Sequence, residues 1–435
     1  MDWISELPED LLLRILSSLS AKDVAATMVL SKRWKFLWML VPKLIYDEDI
    51  SGQKYESFSR FVTSSLLLLL QKAPHLQTVH FKVVGDYSRE RDVDIGEWAT
   101  TVVKSGVREL IIETTDLFSR PVTLPESFYT CCKMLVTLKL SNVVLLDVSC
   151  SFSLPSLKSL SLLSVKYQYP GDEIVKTFLS SCHVLEDLHV ELCLYDNVTV
   201  FAVRVPSLKS LSLHTDDPDS DSDSDEDGGF VIDEDGGFVI DAPSLECLDI
   251  HDHSGEFCII ENDMPKIVTA SFDVSYSVPA NILGSITSVK HLDLCLVDSE
   301  YPLGSVFHSL VHLKICTCHP EWLELLMCLL RSSPNLQALR MDQHHHELWD
   351  EDSRPSWIEP SSVPECVSSS LQTLWVDYKG TDVEKEMVAY MLRNANCLKK
   401  ATISSVSIDP CKKIEMVKEL SSLSRCSSTC HLIFD

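Results

Sequence analysis

One spacing of apolar and polar positions recurs along most of the chain: an apolar residue, two variable residues, an apolar residue, one variable residue and a final apolar residue. The first residues of its thirteen copies are Leu76, Val107, Leu135, Leu157, Leu185, Leu208, Leu245, Ile267, Val289, Leu310, Leu336, Leu371 and Leu398. Successive copies begin 21 to 37 residues apart, around the roughly 20 to 29 residues typical of leucine-rich repeats. Each copy is therefore predicted to supply one strand of a parallel sheet. Its apolar residues point to the core, and the residues between them face solvent on the concave side.

The first forty residues follow a different spacing, in which apolar side chains recur at steps of three and four residues and predict short helices. A stripe that includes Leu11 and Ile15 marks a first helix. Ser20 is predicted to cap a second helix and Ser31 to cap a third, which carries Trp34. Apolar residues occupy nearly every face, and so short a segment turns little of its surface into interior. We therefore expect it to bind a partner rather than only to cover the end of the repeats.

Both ends of the chain resemble parts of a known plant protein family. The segment LPEDLLLRILSSLSAKDVAATMVLSKRWKFLW resembles the F-box motif. The C-terminal residues, with Trp357, PSSVPEC at 360–366 and CHLIF at 430–434, resemble an FBD domain. The family joins an F-box to leucine-rich repeats and an FBD domain. The resemblance implies an α/β fold: an N-terminal three-helix F-box, then a curved leucine-rich-repeat solenoid with its parallel sheet on the concave side, ending in the FBD domain.

The resemblance also divides the chain. The expected segments are an F-box at 1–48, a linker helix region at 49–75, the repeat solenoid at 76–354 and an FBD domain at 355–435. Beyond the F-box, helices are predicted at 57–71, 384–394 and 411–424.

The function implied by the resemblance is that of a substrate-recognition subunit in a Skp–cullin–F-box (SCF-type) ubiquitin ligase. The F-box would bind a Skp-type adaptor, and through it cullin and RING subunits, while the repeats hold an unknown target protein. The chain itself would catalyse nothing and need no cofactor, and it contains no GxSxG nucleophile elbow. The F-box positions expected to bind the adaptor or to hold the helices together are Leu7, Pro8, Leu11, Leu12, Ile15, Leu16, Val24, Leu30, Trp34, Leu37 and Trp38.

Target contacts are expected on the concave side of the strands. The candidates are Asp187, His189, Glu191, His214, Asp249, His251, His291, Asp293, His312, Lys314, Arg340, Asp342, Trp375 and Asp377. Their mixed, mostly acidic character suggests a polar or basic target surface. Two other functions remain open: an adaptor-binding protein that delivers no substrate, including a decayed duplicate, and a sensor that holds a small molecule on the concave face.

Composition excludes several classes of protein. With 435 residues and 45% hydrophobic content the chain is globular, and its 13 glycines form neither a GxGxxG nor a GxxxxGK[ST] phosphate loop. A formal charge of −27 argues against nucleic-acid binding. The N-terminus lacks the pattern of a secretory signal, and the longest leucine run, 66–70, is too short to cross a bilayer. We expect a protein of the cytoplasm or nucleus, neither secreted nor bound to a membrane.

The 16 cysteines are mostly interleaved with apolar residues, which favours reduced, buried thiols. The segments 316–319 (CTCH) and 426–431 hold potential zinc ligands. Neither pairs with a second CxxC or HxxxH at finger spacing, so we predict no metal site.

An acidic insert at 216–241 interrupts the repeats, with twelve acidic residues, no basic ones and a tandem duplication of EDGGFVID. It is predicted to be a disordered loop, because it is highly charged and has few apolar residues. The fold tolerates such a loop, because the entropic cost of closing a loop rises only with the logarithm of its length. The alternative is a phosphorylation switch at Ser220, Ser222 and Ser224.

Overall fold

A computed structural model describes the chain in two compact units. The described residues are 4, 7–48, 55–72, 76–83, 89–114, 122–145, 152–167, 171–192, 198–215, 236–253, 257–275, 278, 280–296, 304–343, 356–405 and 410–435. The N-terminal unit comprises Met1–Leu208 and Ser212–Asp216, and the C-terminal unit comprises Lys209–Leu211 and Asp217–Asp435. The candidate phosphorylation sites Ser220, Ser222 and Ser224 lie outside the described residues.

The N-terminal unit begins with helices and continues as strands separated by helices. Its helices are α1 (Glu9–Leu16), α2 (Ala21–Ala26), α3 (Trp34–Leu37), α4 (Tyr55–Lys72), α5 (Arg89–Lys104), α6 (Glu126–Cys131) and α7 (Gly171–Ser180), with 3-10 turns at Thr27–Val29 and Trp38–Leu40. Its strands are β1 (Lys43–Asp47), β2 (Thr78–Val83), β3 (Glu109–Thr114), β4 (Val122–Thr123), β5 (Thr137–Ser141), β6 (Val143–Leu145), β7 (Ser159–Leu163), β8 (Lys166–Tyr167), β9 (Asp187–Leu192) and β10 (Val200–Arg204). Strand β11 (Ser210–Thr215) contains the boundary between the units.

The C-terminal unit is built in the same way. Its strands are β12 (Gly237–Asp241), β13 (Cys247–Asp252), β14 (Phe257–Ile260), β15 (Thr269–Val274), β16 (His291–Leu296), β17 (His312–Cys316), β18 (Ala338–Asp342), β19 (Thr373–Tyr378), β20 (Lys400–Ser405) and β21 (His431–Phe434). Its helices are α8 (Ala280–Ser285), α9 (Trp322–Ser332), α10 (Glu365–Ser369), α11 (Asp382–Asn394) and α12 (Pro410–Ser421).

All thirteen predicted repeat strands are present, and each begins two residues after the start of its copy. Within each unit, successive repeat strands pair in parallel, so the fourth residue of one copy lies beside the fourth residue of the next. In the N-terminal unit Leu110, Leu138 and Leu160 are such neighbours, and each is at most 1% exposed. The alternation of the repeat therefore places its apolar residues in the core, as predicted.

The structure adds strands that the repeat pattern did not predict. Strand β1 pairs with β2, and a bridge between Ser20 and Ile45 joins the F-box helices to this edge of the sheet. Strand β21 pairs with β20 at the other end of the repeat series. In the N-terminal unit β4, β6 and β8 form a small second sheet. Asn142, in the left-handed backbone conformation that asparagine tolerates (φ 54°), turns the chain from β5 into β6.

Two sequence-based predictions are wrong in part. The segment 216–241 is not disordered throughout, because Gly237–Asp241 forms β12, which pairs with β14 and buries Phe238 and Ile240. The apolar residues of β12 come from the second copy of the duplicated EDGGFVID segment, at 234–241. Ser31 does not cap α3, which begins at Trp34 after Arg33 and has no side-chain cap, whereas the Ser20 hydroxyl does accept a hydrogen bond from the backbone N–H of Asp23.

The other predicted helices are present with small shifts at their ends, as α4, α11 and α12. Helix α11 begins with a capping box. The buried carboxylate of Glu384 accepts hydrogen bonds from the backbone N–H groups of Lys379, Gly380 and Thr381, at 3.0, 3.2 and 3.2 Å. The same side chain thereby satisfies donors that would otherwise be unpaired at the start of the helix.

Candidate functional site

The eleven F-box candidates separate into a buried group and an exposed group. The side chains of Leu12, Leu16, Val24, Trp34 and Leu37 are at most 3% exposed. Leu12 and Leu16, four residues apart on α1, lie on one face of that helix. All five side chains are therefore in the interior of the N-terminal unit and are not available to a partner.

The exposed group carries apolar side chains that remain open to solvent among the described residues. Leu11 is 41% exposed, Ile15 45% and Leu30 61%. Val29 at 87% and Phe36 at 59% were missed by the sequence reasoning, which followed the motif positions only. We call Leu11, Ile15, Val29, Leu30 and Phe36 the exposed F-box residues. Large apolar side chains left in water on so small a segment are typical of an interaction site.

The remaining candidates lie at the edges of this group. Pro8 is exposed and occupies the N-cap position of α1, while Leu7 and Trp38 are half-buried. The carbonyl of Leu7 accepts a hydrogen bond of 2.8 Å from the guanidinium of Arg33, which ties the start of the motif to the segment before α3.

In the C-terminal unit, the polar side of six neighbouring strands, β15 to β20, forms a groove. Its volume is about 510 Å³. The lining residues are Thr269, Ala270, Ser271, His291, Leu292, Asp293, His312, Leu313, Lys314, Ala338, Leu339, Arg340, Thr373, Leu374, Trp375, Lys400 and Thr402. The strand register places Asp293 beside Lys314, Lys314 beside Arg340, and Arg340 beside Trp375. We call this cavity the strand groove.

Charged pairs orient the side chains of the strand groove. The Lys314 ammonium lies 2.7 Å from Asp293 Oδ2 and 3.6 Å from Asp342 Oδ2. Arg340 Nε donates to Asp342 Oδ2 at 2.9 Å, and its guanidinium carbon lies 5.0 Å from the ring centroid of Trp375. This cation–π contact fixes a flat aromatic side chain next to a cation.

Two histidines stack at the start of neighbouring strands in the groove. The rings of His291 and His312 are 4.6 Å apart at the centroids and 14° from parallel. Burial, and then the charge of His291, lower the pKa of His312 below its ordinary value. A neutral His312 ring can therefore accept as well as donate a hydrogen bond.

The structure places some of the fourteen predicted target contacts in the strand groove and the others outside it. Six of them line the strand groove: His291, Asp293, His312, Lys314, Arg340 and Trp375. The other eight do not line it; of these, Asp187, His189 and Glu191 are on β9, His214 is on β11, Asp249 and His251 are on β13, Asp342 is on β18 and Asp377 is on β19.

The prediction that Asp342 faces solvent is wrong. Asp342 is only 5% exposed, because Lys314 and Arg340 lie against its carboxylate. Sequence reasoning also missed Thr269, Ser271, Thr373, Lys400 and Thr402. These residues occupy ordinary repeat positions, and only the register of the strands brings them into one cavity.

Family models for three domains match the chain. The F-box domain model matches residues 4–46, and the FBD model matches residues 359–403. The model described as "FBD-associated F-box protein At5g56370, LRR repeats" matches residues 95–260.

Similar proteins extend this match to the full length. The chain is 55% identical over 440 residues to "Probable FBD-associated F-box protein At1g32375" of Arabidopsis thaliana, covering 100% of both chains. The chain belongs to the family of FBD-associated F-box proteins with leucine-rich repeats. It is also 51% identical to "Putative FBD-associated F-box protein At5g50270" of the same plant, over 96% of this chain and 100% of that one. "F-box/FBD/LRR-repeat protein At5g56420", again from Arabidopsis thaliana, is 44% identical over 100% of this chain and 99% of its own.

Membership in this family implies an F-box that binds a Skp-type adaptor in general, and a role as a binding subunit. Among the described residues, no helix combines the length and the apolar character needed to span a membrane.

Proposed function

We propose that this chain is the substrate-recognition subunit of an SCF-type ubiquitin ligase, with the exposed F-box residues binding the Skp-type adaptor and the strand groove binding a target protein. Adaptor binding is supported by the difference in exposure between neighbouring residues of α1. Leu12 and Leu16 complete its interior, while Leu11 and Ile15 on the same helix remain in water. Cullin and RING subunits would join through the adaptor, and the complex would act in the cytoplasm or nucleus.

The strand groove supports the second part of the proposal. Lysine and arginine side chains that are oriented by carboxylates, next to a fixed tryptophan, provide both charge and aromatic contact area. Tryptophan and arginine are the residues that most often dominate the energy of protein interfaces. The chain would contribute binding to ubiquitin transfer, and the other subunits would supply the chemistry.

The charge of the groove changes the expected target. The sequence suggested a polar or basic target surface, but the groove lining contains three cationic side chains, those of Lys314, Arg340 and Lys400. The carboxylates of Asp293 and of the buried Asp342 pair with the first two, which leaves a small excess of positive charge. We propose that the target presents an extended segment with acidic or aromatic side chains. Complementary charge would speed the association of such a segment.

The decisive experiment is affinity capture of the full chain together with its adaptor, with and without proteasome inhibition. We expect short-lived proteins to be enriched by the unaltered chain and lost with the double change Arg340→Ala and Trp375→Ala. The matched control is Lys139→Ala, on the polar side of β5 in the other unit, which should leave capture unchanged. Ubiquitylation of a captured protein by the reconstituted complex would complete the test. Recovery of adaptor and cullin alone would favour an adaptor-binding protein that delivers no substrate.

The volume of the strand groove favours one further candidate, a small-molecule sensor. A cavity of about 510 Å³ falls within the roughly 300 to 1,000 Å³ of typical ligand sites. If target capture from a dialysed lysate is lost and returns with the small-molecule fraction, the groove holds a ligand as well as, or in place of, a protein segment.

A further inference from the structure

Three buried thiols converge in the C-terminal unit, away from the groove lining. The sulfur of Cys318 lies 3.3 Å from that of Cys295 and 3.0 Å from that of Cys316. The three side chains are 1%, 4% and 0% exposed for Cys295, Cys316 and Cys318. We call these residues the thiol cluster.

The fold explains how the cluster forms. Cys295 is on β16 and Cys316 is the last residue of the neighbouring strand β17, so parallel pairing brings them side by side. The chain then bends, and Cys318 returns its sulfur to the other two. From the sequence we predicted no zinc site, because the CTCH segment is not followed or preceded by a second pair of ligands at the spacing of a zinc finger. The third thiol comes from 21 residues before Cys316, through a strand register that finger spacing does not describe.

The positions of the cluster within the repeat are unusual for cysteine used only as packing. Cys295 follows Asp293 by two residues and Cys316 follows Lys314 by two, so both belong to the polar side of their strands. In the register, Asp273 lies beside Cys295 and Asp342 lies beside Cys316. Both carboxylates are only 5% exposed. The thiols therefore occupy the middle of a buried polar row that has a carboxylate on each side.

The bend between Cys316 and Cys318 is held from two directions. The backbone N–H of Thr317 donates to the carbonyl of Asp342 at 2.9 Å. The ammonium of Lys379 donates to the carbonyl of Thr317 at 3.3 Å, which also brings a positive charge to the edge of the cluster. These contacts hold the backbone between the two cysteines, and a preformed backbone lowers the cost of binding a ligand there.

The carboxylates on either side of this row, those of Asp273 and Asp342, would attract a divalent cation, and a bound divalent cation favours the thiolate form of cysteine.

We propose that Cys295, Cys316 and Cys318 bind one zinc ion through three thiolates. Binding of Zn²⁺ by the three thiols releases three protons and leaves a net charge of −1 on the metal and its three ligands, with no redox step. Zinc–sulfur bonds of about 2.3 Å place tetrahedral thiolates roughly 3.8 Å apart, so the sulfurs need to separate by about 0.5 to 0.8 Å when the ion binds. His319, buried and next in the chain, is the residue we would test as the fourth ligand.

The test uses the full chain, copurified with its adaptor, reduced, stripped of metal and then supplied with Zn²⁺ or with Co²⁺ as a spectroscopic probe. We expect one zinc ion per chain by elemental analysis, and thiolate-to-cobalt charge-transfer bands whose intensity corresponds to three sulfurs. Cys295→Ala, Cys316→Ala and Cys318→Ala should each lose the metal. The matched control is Cys258→Ala, which removes another thiol that is 1% exposed in the same unit and should keep the metal.

Two results would overturn the proposal directly: no zinc in the reduced wild-type chain, or equal zinc in the cluster variants and the control. A third is zinc that is lost only with Cys426→Ala, because Cys426 belongs to the other segment with potential zinc ligands, 426–431. The cobalt spectrum of the unaltered chain does not depend on any variant folding correctly. His319→Ala should change the cobalt ligand-field bands while keeping the charge-transfer bands if that ring is the fourth ligand. Neither the exposed F-box residues nor the lining of the strand groove includes these three thiols, so failure of this test would leave the proposed function untouched.

Discussion

Replacing Leu11 and Ile15 together with alanine tests whether the exposed side of α1 is the adaptor surface. Complete burial of a leucine or isoleucine side chain contributes about 1.5 to 3 kcal/mol. Leu11 is already 59% covered within the chain and Ile15 55%, since they are 41% and 45% exposed. An adaptor that covered the rest would gain about 0.6 to 1.4 kcal/mol from each side chain. The double change should therefore weaken adaptor binding by about 1.2 to 2.8 kcal/mol, or about 8- to 100-fold in Kd.

The assay is titration of the purified adaptor against the full chain by calorimetry or interferometry, with thermal unfolding measured in parallel. Replacing Leu11 and Ile15 should raise the Kd for the adaptor and leave the melting temperature of the chain almost unaltered. The matched control is Leu12→Ala together with Leu16→Ala, on the same helix and 0% exposed, which should instead lower stability by about 2 to 5 kcal/mol per site. Undiminished adaptor affinity after the exposed change, with the helices intact, would refute the assignment of this surface.

Leu160→Ala should lower the free energy of unfolding by about 2 to 5 kcal/mol, because that side chain is 1% exposed, and Ser161→Ala should change it by less than about 0.5 kcal/mol. Equal effects of the two in urea denaturation would contradict the alternation of the repeat. Glu384→Ala should cost about 1 to 3 kcal/mol, because three backbone N–H groups lose their acceptor, and Glu384→Gln should restore part of that in thermal unfolding. Burial holds the pKa of His80 below its ordinary value of 6.5, partly opposed by its hydrogen bond with Glu113. As the pH falls below 6.5 the unfolded chain binds this proton before the folded chain does, so stability declines, and His80→Gln should remove that decline. A His80 ring resonance that titrates at or above pH 6.5 would contradict this prediction. Glu113→Gln should lower the pKa of His80 further, because it removes the carboxylate that opposes the effect of burial.

The sequence by itself determined the repeat strands and the F-box helices. A side-chain period of two in a strand and of 3.6 in a helix follows from backbone geometry, so Leu138 and Leu160 are assigned to the core without reference to any neighbour. The same reasoning could not separate Leu11 from Leu12, because consecutive leucines on a short helix have the same chemistry. Only the packing of α1 against the other F-box residues made one of them interior and left the other exposed.

The tertiary structure decided everything that depends on strand register. Asp293, Lys314 and Arg340 are 21 and 26 residues apart in the chain, and they become neighbours because their strands pair in parallel with matched copies. The same register buries Asp342 between two cations, so a residue at a solvent-facing position of the repeat became part of the interior. It also brings Cys295 to Cys316. Spacing along the chain describes local contacts, whereas long-range contacts such as these are fixed only when the repeats stack on one another.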